Sequence, residues 1–223
     1  MCGRFTLTVD PAELQDAFIE FDFPIRFAPR FNIAPTQPVL AIPNDGKNKA
    51  DFFHWGLIPS WAKDPLIANK LINARGETIA EKSSFRGGFK YKRCLILADG
   101  FYEWKSQSGT KIKTPYFIHL KDRKPFAFAG LWDEWQSPDG GALRTCTIIT
   151  TGPNELMSTL HNRMPVILDP KEYPDWLDPA PRTPDSLLQL IKPYPSDNMS
   201  AYPVSTLINT PVNDRAELIL PLN

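Results

Sequence analysis

The chain has 223 residues, of which 42% are hydrophobic, and this is enough to bury a substantial core in one large domain. Lysine and arginine together number 25, as do aspartate and glutamate, so the whole molecule lacks the basic excess that would by itself indicate a nucleic-acid-binding protein. Three cysteines without paired or metal-type spacing favour a reduced cytoplasmic protein, nuclear in a eukaryote, and without a signal-like leader or a long apolar run we expect neither secretion nor membrane spanning.

The predicted elements begin with a strand at 4–9. Asp10 and Pro11 then precede the amphipathic run AELQDAFIE, which predicts a helix with an N-cap and a proline at its first position. Runs rich in β-branched and aromatic residues, bounded by turn residues, predict further strands. These strands lie at 39–42, 51–55, 93–98, 116–120, 126–132 and 144–150.

Three more short helices are predicted late in the chain, at 153–160, 170–177 and 183–191. Because the strands cluster first and most helices follow, the order favours an α+β fold over alternating βαβ units. The 23 prolines predict irregular but ordered connections.

Cys2 follows the initiator methionine, and its small size favours removal of Met1. The exposed residue would then carry an α-amine and a thiol on adjacent carbons. Such a 1,2-aminothiol captures aldehydes, because the amine forms a Schiff base and the thiol closes onto the imine carbon to give a thiazolidine. The alternative interpretation is a small residue at the start of the chain without a chemical role.

Glu103 lies in RCLILADGFYEW, where Asp99 and Gly100 are interpreted as a turn between two strand-like halves. Strand alternation places Glu103 on the face opposite Tyr102 and Trp104. A carboxylate held near apolar surface can act as an acid or base near neutral pH. The alternative is an exposed glutamate on a strand.

His161 lies in TLHNRMPVIL, at the end of a predicted helix and beside an arginine. Its ordinary pKa makes it a candidate proton donor, and a structural histidine is the alternative. His54 and His119 lie within predicted strands and are assigned structural roles. Three scattered histidines without ligand spacing predict no metal site.

LINARGET places Asn73, Arg75 and Glu77 at alternate positions, which would share one face of an extended segment. Arg75 could bind a phosphate or pair internally with Glu77. Basic residues are concentrated from Lys70 to Arg93, and this run is either a solvated face or a phosphate-binding surface.

Trp61 lies just upstream of that basic run, in WGLIPSWAKDP, and polar residues follow it. An exposed aromatic side chain beside a basic stretch can stack on unpaired bases. Partial burial in the core is the alternative.

The segments MCGRF, RFNIAPTQ, WGLIPSW, LINARGET, RCLILADGFYEW and LHNRMPVIL, in this order, resemble the SRAP family of SOS response-associated peptidases. Members of that family shield abasic sites in single-stranded DNA through a covalent DNA–protein crosslink. The resemblance extends from Cys2 to Glu217. It implies one compact α+β domain over residues 1–223, with mixed or antiparallel sheets forming a barrel-like core, a few peripheral helices and a positively charged groove leading to Cys2.

The resemblance also implies roles for particular residues. Cys2 would be the nucleophile, with Asn73, Glu103 and His161 as the polar residues of the active site. The expected DNA contacts are Arg4, Arg75 and Arg163 to phosphates, Asn32 and Pro35 lining the site, and Trp61 stacking near the lesion. The sequence departs from the family at Ala62, where relatives commonly have a second aromatic residue, so we expect weaker wedging of a flanking duplex.

The implied reaction begins when the closed abasic sugar opens to its aldehyde, with His161 moving the proton. Glu103 would orient the amine and move protons during imine formation, and Asn73 would hydrogen-bond to the sugar or the amine. Closure by the thiol removes an imine that would otherwise invite β-elimination and strand cleavage.

We expect a monomer whose partner is single-stranded DNA containing abasic sites, without a cofactor, a metal or a membrane contact. Lyase activity is a further possibility of the imine chemistry. Two alternatives remain at this point. One is a cysteine-type peptidase or autoprocessing hydrolase that uses Cys2. The other is a noncatalytic module that binds single strands through Trp61 and the basic stretch.

Overall fold

A computed structural model of the protein describes residues 2–24, 27–107, 109 and 112–222. The strands are β1 Phe5–Leu7, β2 Arg30–Ile33, β3 Pro38–Pro43, β4 Asp51–Trp55, β5 Asn73–Arg75, β6 Arg93–Ala98, β7 Gly100–Ser106, β8 Lys113–Leu120, β9 Phe126–Gln136, β10 Ala142–Thr151, β11 Met164–Pro165, β12 Ile167–Leu168 and β13 Met199–Pro203. The α-helices are α1 Pro11–Ala17, α2 Arg86–Tyr91, α3 Glu155–Ser158, α4 Tyr173–Leu177 and α5 Pro184–Leu188. Short 3-10 helices lie at Pro65–Lys70, Gly76–Thr78, Pro170–Glu172, Ser196–Asn198, Thr206–Asn209 and Ala216–Ile219.

Strands β3, β4, β6, β9 and β10 close into a barrel. β3 pairs with β4 and β6, β6 pairs with β9, β9 pairs with β10, and β10 returns to pair with β4. The β4–β10 pairing is parallel and the other four are antiparallel. β5 adds to β10 in parallel, outside this ring. The ring is a closed barrel, so its strands satisfy one another's backbone groups.

A second sheet of antiparallel strands packs against the barrel, in the order β13-β8-β7-β1-β2. Phe5 of β1 and Phe101 of β7 both stand edge-on to Phe128 of the barrel strand β9, with ring centroids 5.7 and 6.0 Å apart. Buried side chains of the barrel and of this sheet therefore belong to one hydrophobic cluster. The α+β class with a barrel-like core, expected from the sequence, is confirmed.

The predicted strands all form, and the bounds agree at 51–55 and 93–98. Helix α1 has its predicted cap, because the Asp10 carboxylate accepts hydrogen bonds from the backbone N–H groups of Ala12 and Glu13. The Glu13 carboxylate accepts from the backbone N–H of Asp10 and completes a capping box. The late helices also form, but each is shorter than predicted.

Asp99 lies between two strands, as the sequence predicts, but these strands belong to different sheets and Gly100 is not part of the bend. β6 belongs to the barrel and β7 to the second sheet, so the chain passes from one layer to the other at Asp99. Gly100 is already part of β7, and a Cβ atom there would lie 2.3 Å from the ring of Phe117. The close approach of the Phe117 ring explains why this position is a glycine. The Asp99 carboxylate accepts hydrogen bonds from the hydroxyl of Thr6 and from the backbone N–H and hydroxyl of Thr8, which fixes β1.

Candidate active site

The segment before β1 extends the second sheet and brings Cys2 beside Glu103. Phe5 pairs with Phe101, and the N–H of Tyr102 donates to the carbonyl oxygen of Arg4 at 3.0 Å. Continuing this antiparallel register places residues 2–4 along residues 102–104. Cys2 is fully buried there.

The thiol of Cys2 is held in its protonated form. Burial raises its pKa well above the ordinary range, and the negative charge of Glu103 raises it further. The Sγ–H group points to the carbonyl oxygen of Arg4, at 3.9 Å. A thiolate nucleophile is therefore disfavoured at neutral pH.

Asn73 holds the backbone of Cys2. It begins β5, which pairs in parallel with β10 so that Asn73 lies opposite Ile148. Its Nδ2 donates to the carbonyl oxygen of Cys2 at 2.9 Å. Its Oδ1 is buried and has no hydrogen-bond partner among the described residues. Asn73 thus fixes Cys2 and keeps one buried acceptor for a further donor.

Glu103 is buried, with 3% of its surface exposed. Tyr102 and Trp104, its neighbours on β7, belong to a separate apolar cluster with Phe117 and Val204. The expectation that Glu103 faces away from these two aromatics agrees with this, and the alternative of an exposed glutamate is wrong. A carboxylate in this position lies within electrostatic reach of Cys2.

His161 is half-buried in the turn that follows α3. Its backbone N–H donates to the carbonyl oxygen of Met157 at 2.8 Å, and its Nδ1 accepts from the backbone N–H of Arg163 at 3.1 Å. The guanidinium of Arg163 donates to the carbonyl oxygen of Thr150 at 2.7 Å. Thr150 is paired with Arg75 at the end of β5, so this turn lies at the β5 end that follows Asn73.

Arg4 and Asn32, expected to contact DNA, are engaged inside the protein. Nη1 of Arg4 donates to Oδ1 of Asn32 and to the carbonyl oxygen of Ile208, each at 2.7 Å. Asn32 is fully buried, and its Nδ2 donates to the carbonyl oxygens of Thr210 and Asn213 at 3.1 and 2.7 Å. No local sequence pattern indicates that these two residues hold the loop at 208–213, which we call the C-terminal loop. The one feature of the sequence that relates to this loop is the family resemblance, which continues beyond residue 200.

Arg163 is paired with Glu77 through two hydrogen bonds, one of them 2.9 Å long. The internal ion pair between Arg75 and Glu77 that was the alternative does not form, and Arg75 is exposed with no ion pair to any other described residue. The pairing with Arg163 lowers the pKa of Glu77. Sequence spacing could not have found it, since 86 residues separate the two partners.

The basic run from Lys70 to Arg93 is not one continuous surface. Arg93 is fully buried, and its guanidinium donates to the carbonyl oxygens of Phe89, Lys90, Trp176 and Asp178. Burial lowers its pKa to about 10. Lys92 pairs with Asp133 at 2.6 Å. The remaining exposed cations are Lys70, Arg75, Lys82, Arg86 and Lys90.

Trp61 lies on the surface with 60% of its area exposed, as base stacking requires. Pro35 is half-buried in the loop after β2. Ala62, next to Trp61, is buried against Ile58 and Trp135. Its carbonyl oxygen accepts a hydrogen bond from Nε1 of Trp135 at 2.7 Å. Ala62 therefore faces a small core and presents no wedge to solvent.

The described parts of the chain show neither a metal-binding cluster nor a membrane-spanning helix. No cluster of three or more His, Cys, Asp or Glu side chains there could hold a metal ion. None of the helices in those parts is long and apolar enough to cross a membrane.

Comparison with known proteins places this site in a family. A model of the SOS response associated peptidase (SRAP) family matches residues 1–211. The chain is 49% identical to the abasic site processing protein YoqW of Bacillus subtilis, covering 98% of this chain and 99% of YoqW. It is 35% identical to the abasic site processing protein HMCES of Gallus gallus, covering 100% of this chain and 78% of HMCES.

Among solved structures, a protein from Bacteroides thetaiotaomicron matches with a TM-score of 0.89 and 26% identity, over 100% of both chains. The chain therefore belongs to the SOS response associated peptidase family.

Proposed function

We propose that the protein captures abasic sites in single-stranded DNA by forming a thiazolidine between the open-chain aldehyde and Cys2, after removal of Met1. Met1 itself lies outside the described residues. The relatives named abasic site processing proteins support a role on abasic DNA. The observation that carries the proposal is the buried Cys2, whose carbonyl oxygen is bound by Asn73 and whose thiol lies near the charge of Glu103.

The state of the thiol sets the order of the steps. Because the thiol of Cys2 keeps its proton, the α-amine is the better first nucleophile, with an ordinary pKa of about 7.7 to 8.0. The amine adds to the aldehyde carbon, and loss of water leaves an imine. The S–H group then adds across the C=N bond, with sulfur bonding to carbon and its proton passing to nitrogen.

Glu103 and Asn73 serve the amine and its proton transfers. The Glu103 carboxylate can take a proton from the attacking amine and return it to the departing water. Asn73 fixes the backbone that carries the amine, and its buried Oδ1 can accept a hydrogen bond from the amine or the sugar. Both groups are set in strands, which limits their movement during the reaction.

His161 moves the proton that opens the sugar. The abasic sugar is mostly a closed hemiacetal, so an acid must protonate the ring oxygen before an aldehyde exists. An imidazole ring can both give up and take up a proton at its nitrogens, which suits His161 to this step. Closure of the thiazolidine removes the imine, and the strand is protected from β-elimination.

The DNA contacts in this proposal divide into two groups. Arg75 and Trp61 are exposed and can contact a phosphate and a base directly. Arg4 and Arg163 already donate to protein acceptors, so a phosphate would share or displace those bonds. Pro35 and Asn32 would shape the wall of the site. With a neutral molecule overall, binding should be modest and sensitive to salt.

The raised pKa of the Cys2 thiol counts against a cysteine-type peptidase, because that chemistry starts from a thiolate. The exposed Trp61 leaves noncatalytic single-strand binding as the second candidate. The two candidates differ in whether a covalent product forms.

The test is to incubate the protein with uracil-containing single-stranded DNA that a glycosylase has converted to abasic DNA. Intact mass first establishes that Met1 is absent. We expect a heat-stable adduct on abasic strands, none on intact strands, and none with Cys2→Ala. An adduct that persists in Cys2→Ala rejects the thiazolidine, and equal noncovalent binding of both strands selects the binding module.

A further inference from the structure

Nδ1 of His161 faces the backbone of its own turn. It lies 3.1 Å from the backbone nitrogen of Arg163 and 3.3 Å from the carbonyl oxygen of the same residue. One ring nitrogen therefore has a donor and an acceptor within reach, and both belong to main-chain atoms. The other nitrogen, Nε2, lies on the opposite side of the ring.

The donor decides where the neutral ring carries its proton. A backbone N–H can only donate, so Nδ1 must offer its lone pair to Arg163. A proton on Nδ1 would give up this shorter bond and keep only the longer contact with the carbonyl oxygen, at 3.3 Å. The neutral ring of His161 then carries its proton on Nε2.

The acceptor serves the charged ring. When His161 gains a second proton, Nδ1 becomes a donor and the carbonyl oxygen of Arg163 at 3.3 Å can receive it. We infer that the backbone of Arg163 supports both charge states of His161, keeping the neutral proton on Nε2 and accepting the Nδ1 proton of the charged ring.

The side chain of Arg163 holds this backbone in place. Its guanidinium is bound by both carboxylate oxygens of Glu77 and donates to the carbonyl oxygen of Thr150 at 2.7 Å. Only 14% of the Arg163 side chain is exposed. Glu77 is therefore a positioning residue, because it acts on His161 through Arg163.

This inference deepens the proposed function and rests on it for its place in the reaction. The charged ring gives its Nε2 proton to the sugar ring oxygen while the bond from that oxygen to C1′ breaks, its electron pair staying on oxygen. The C1′ hydroxyl loses its proton to the Glu103 carboxylate and becomes the aldehyde. The ring is left transiently neutral with its remaining proton on Nδ1, facing the carbonyl oxygen of Arg163, and proton exchange with solvent restores the resting tautomer protonated on Nε2.

The first experiment measures the tautomer of the DNA-free protein. Nitrogen-15 spectra of the histidine side chains, recorded where the ring is neutral, distinguish a protonated Nε2 from a protonated Nδ1. Loss of a signal in His161→Gln assigns the resonance. We expect Nε2 to be protonated, and a protonated Nδ1 overturns the inference. A protein that shows the expected tautomer but forms no adduct refutes the proposed function and leaves this assignment intact.

The second experiment removes the carboxylate that positions Arg163. We expect Glu77→Ala to give a mixture of His161 tautomers and to slow adduct formation roughly tenfold, because the acid loses its alignment. Glu81→Ala is the matched control, since Glu81 is an exposed glutamate four residues away that forms no ion pair with the part of the chain that the structure describes. Both variants are checked by thermal unfolding. An unchanged tautomer in a folded Glu77→Ala protein, with or without weaker binding of intact strands, overturns the role of Glu77.

Discussion

Nδ2 of Asn73 lies 2.9 Å from the carbonyl oxygen of Cys2, and this bond joins the strand outside the barrel to the segment that precedes the second sheet. The two residues are 71 positions apart. The bond fixes the peptide plane that follows Cys2, and with it the direction of the groups on the Cys2 Cα atom. Alignment of a nucleophile speeds the reaction, and a small misplacement can slow it by on the order of ten- to a hundredfold.

Loss of the Asn73 donor should therefore slow capture of the aldehyde. We expect Asn73→Asp, which keeps the shape but removes the N–H donor, to slow adduct formation about tenfold or more. The rate is measured with abasic single strands in excess under single-turnover conditions. The substitution also adds a negative charge to the proposed site, so binding of intact strands is measured separately, and a wild-type rate in Asn73→Asp would contradict the role of this bond.

The buried thiols should make the protein less stable at high pH. Burial raises the pKa values of Cys2, Cys94 and Cys146 above the ordinary thiol value of about 8.5. Above that pH the unfolded chain loses thiol protons that the folded protein keeps. The free energy of unfolding should then fall by up to about 1.4 kcal/mol per pH unit for each thiol.

Urea unfolding at several pH values between about 8 and 9.5 measures this loss, below the range where tyrosines ionise. Below about pH 8 the thiols are protonated in both states and their contribution is constant. Cys146→Ala should make the dependence on pH shallower by one thiol. An identical slope in that variant would show that Cys146 ionises alike in both states.

The Asn32 amide should be important for stability because it joins Arg4 to the C-terminal loop. We expect Asn32→Ala to lower the free energy of unfolding by about 2 to 3 kcal/mol, since it removes one acceptor from Arg4 and the side-chain donor to the carbonyl oxygens of Thr210 and Asn213. Asn32→Asp keeps the acceptor for Arg4 but loses the N–H donors to the C-terminal loop. It therefore distinguishes the contribution of the Arg4 contact from that of the loop contacts. Denaturant unfolding measures the stability of both variants. A wild-type midpoint for Asn32→Ala would contradict the importance of the contacts that Asn32 makes with Arg4 and the C-terminal loop.

Trp61 should contribute to DNA binding and little to folding. We expect Trp61→Ala to weaken binding of intact single strands by about 1 to 3 kcal/mol, the usual contribution of one stacked base. Its thermal midpoint should stay near that of the wild type, because the side chain is 60% exposed. Leu66→Ala, an exposed apolar residue on the following segment, is the control. Fluorescence anisotropy at fixed salt compares the affinities of the two variants for single strands. Equal affinities of Trp61→Ala and Leu66→Ala would show that Trp61 does not contact the DNA.

Local sequence patterns predicted the elements well where one face of a strand is apolar. The runs at 51–55 and 93–98 are examples, and the cap of α1 could be read directly from Asp10 and Glu13. Helix α2 was missed because Gly87 and Gly88 lie inside it, and glycine is a poor helix former. Packing of Phe89 and Arg93 against other elements holds that helix.

The site residues likewise include some that a local sequence pattern identifies and others that it does not. Glu103 could be singled out because a charged residue interrupts an apolar strand, and the structure buries it. Arg93, Asn32 and the Arg163–Glu77 pair depend on contacts between residues far apart in sequence, which no local pattern encodes. Their polar groups looked available for DNA because a sequence shows charge but not burial.

The hydrogen bonds between Arg4 and the C-terminal loop also have a consequence for biosynthesis. Arg4 lies two residues from Cys2, yet its carbonyl partner at Ile208 is added 204 residues later. While the chain is still on the ribosome, the segment that carries Cys2 lacks the partner that holds Arg4. Cys2 would thus reach its final setting only after synthesis has passed residue 213, so this part of the site is completed after the residues that form both sheets.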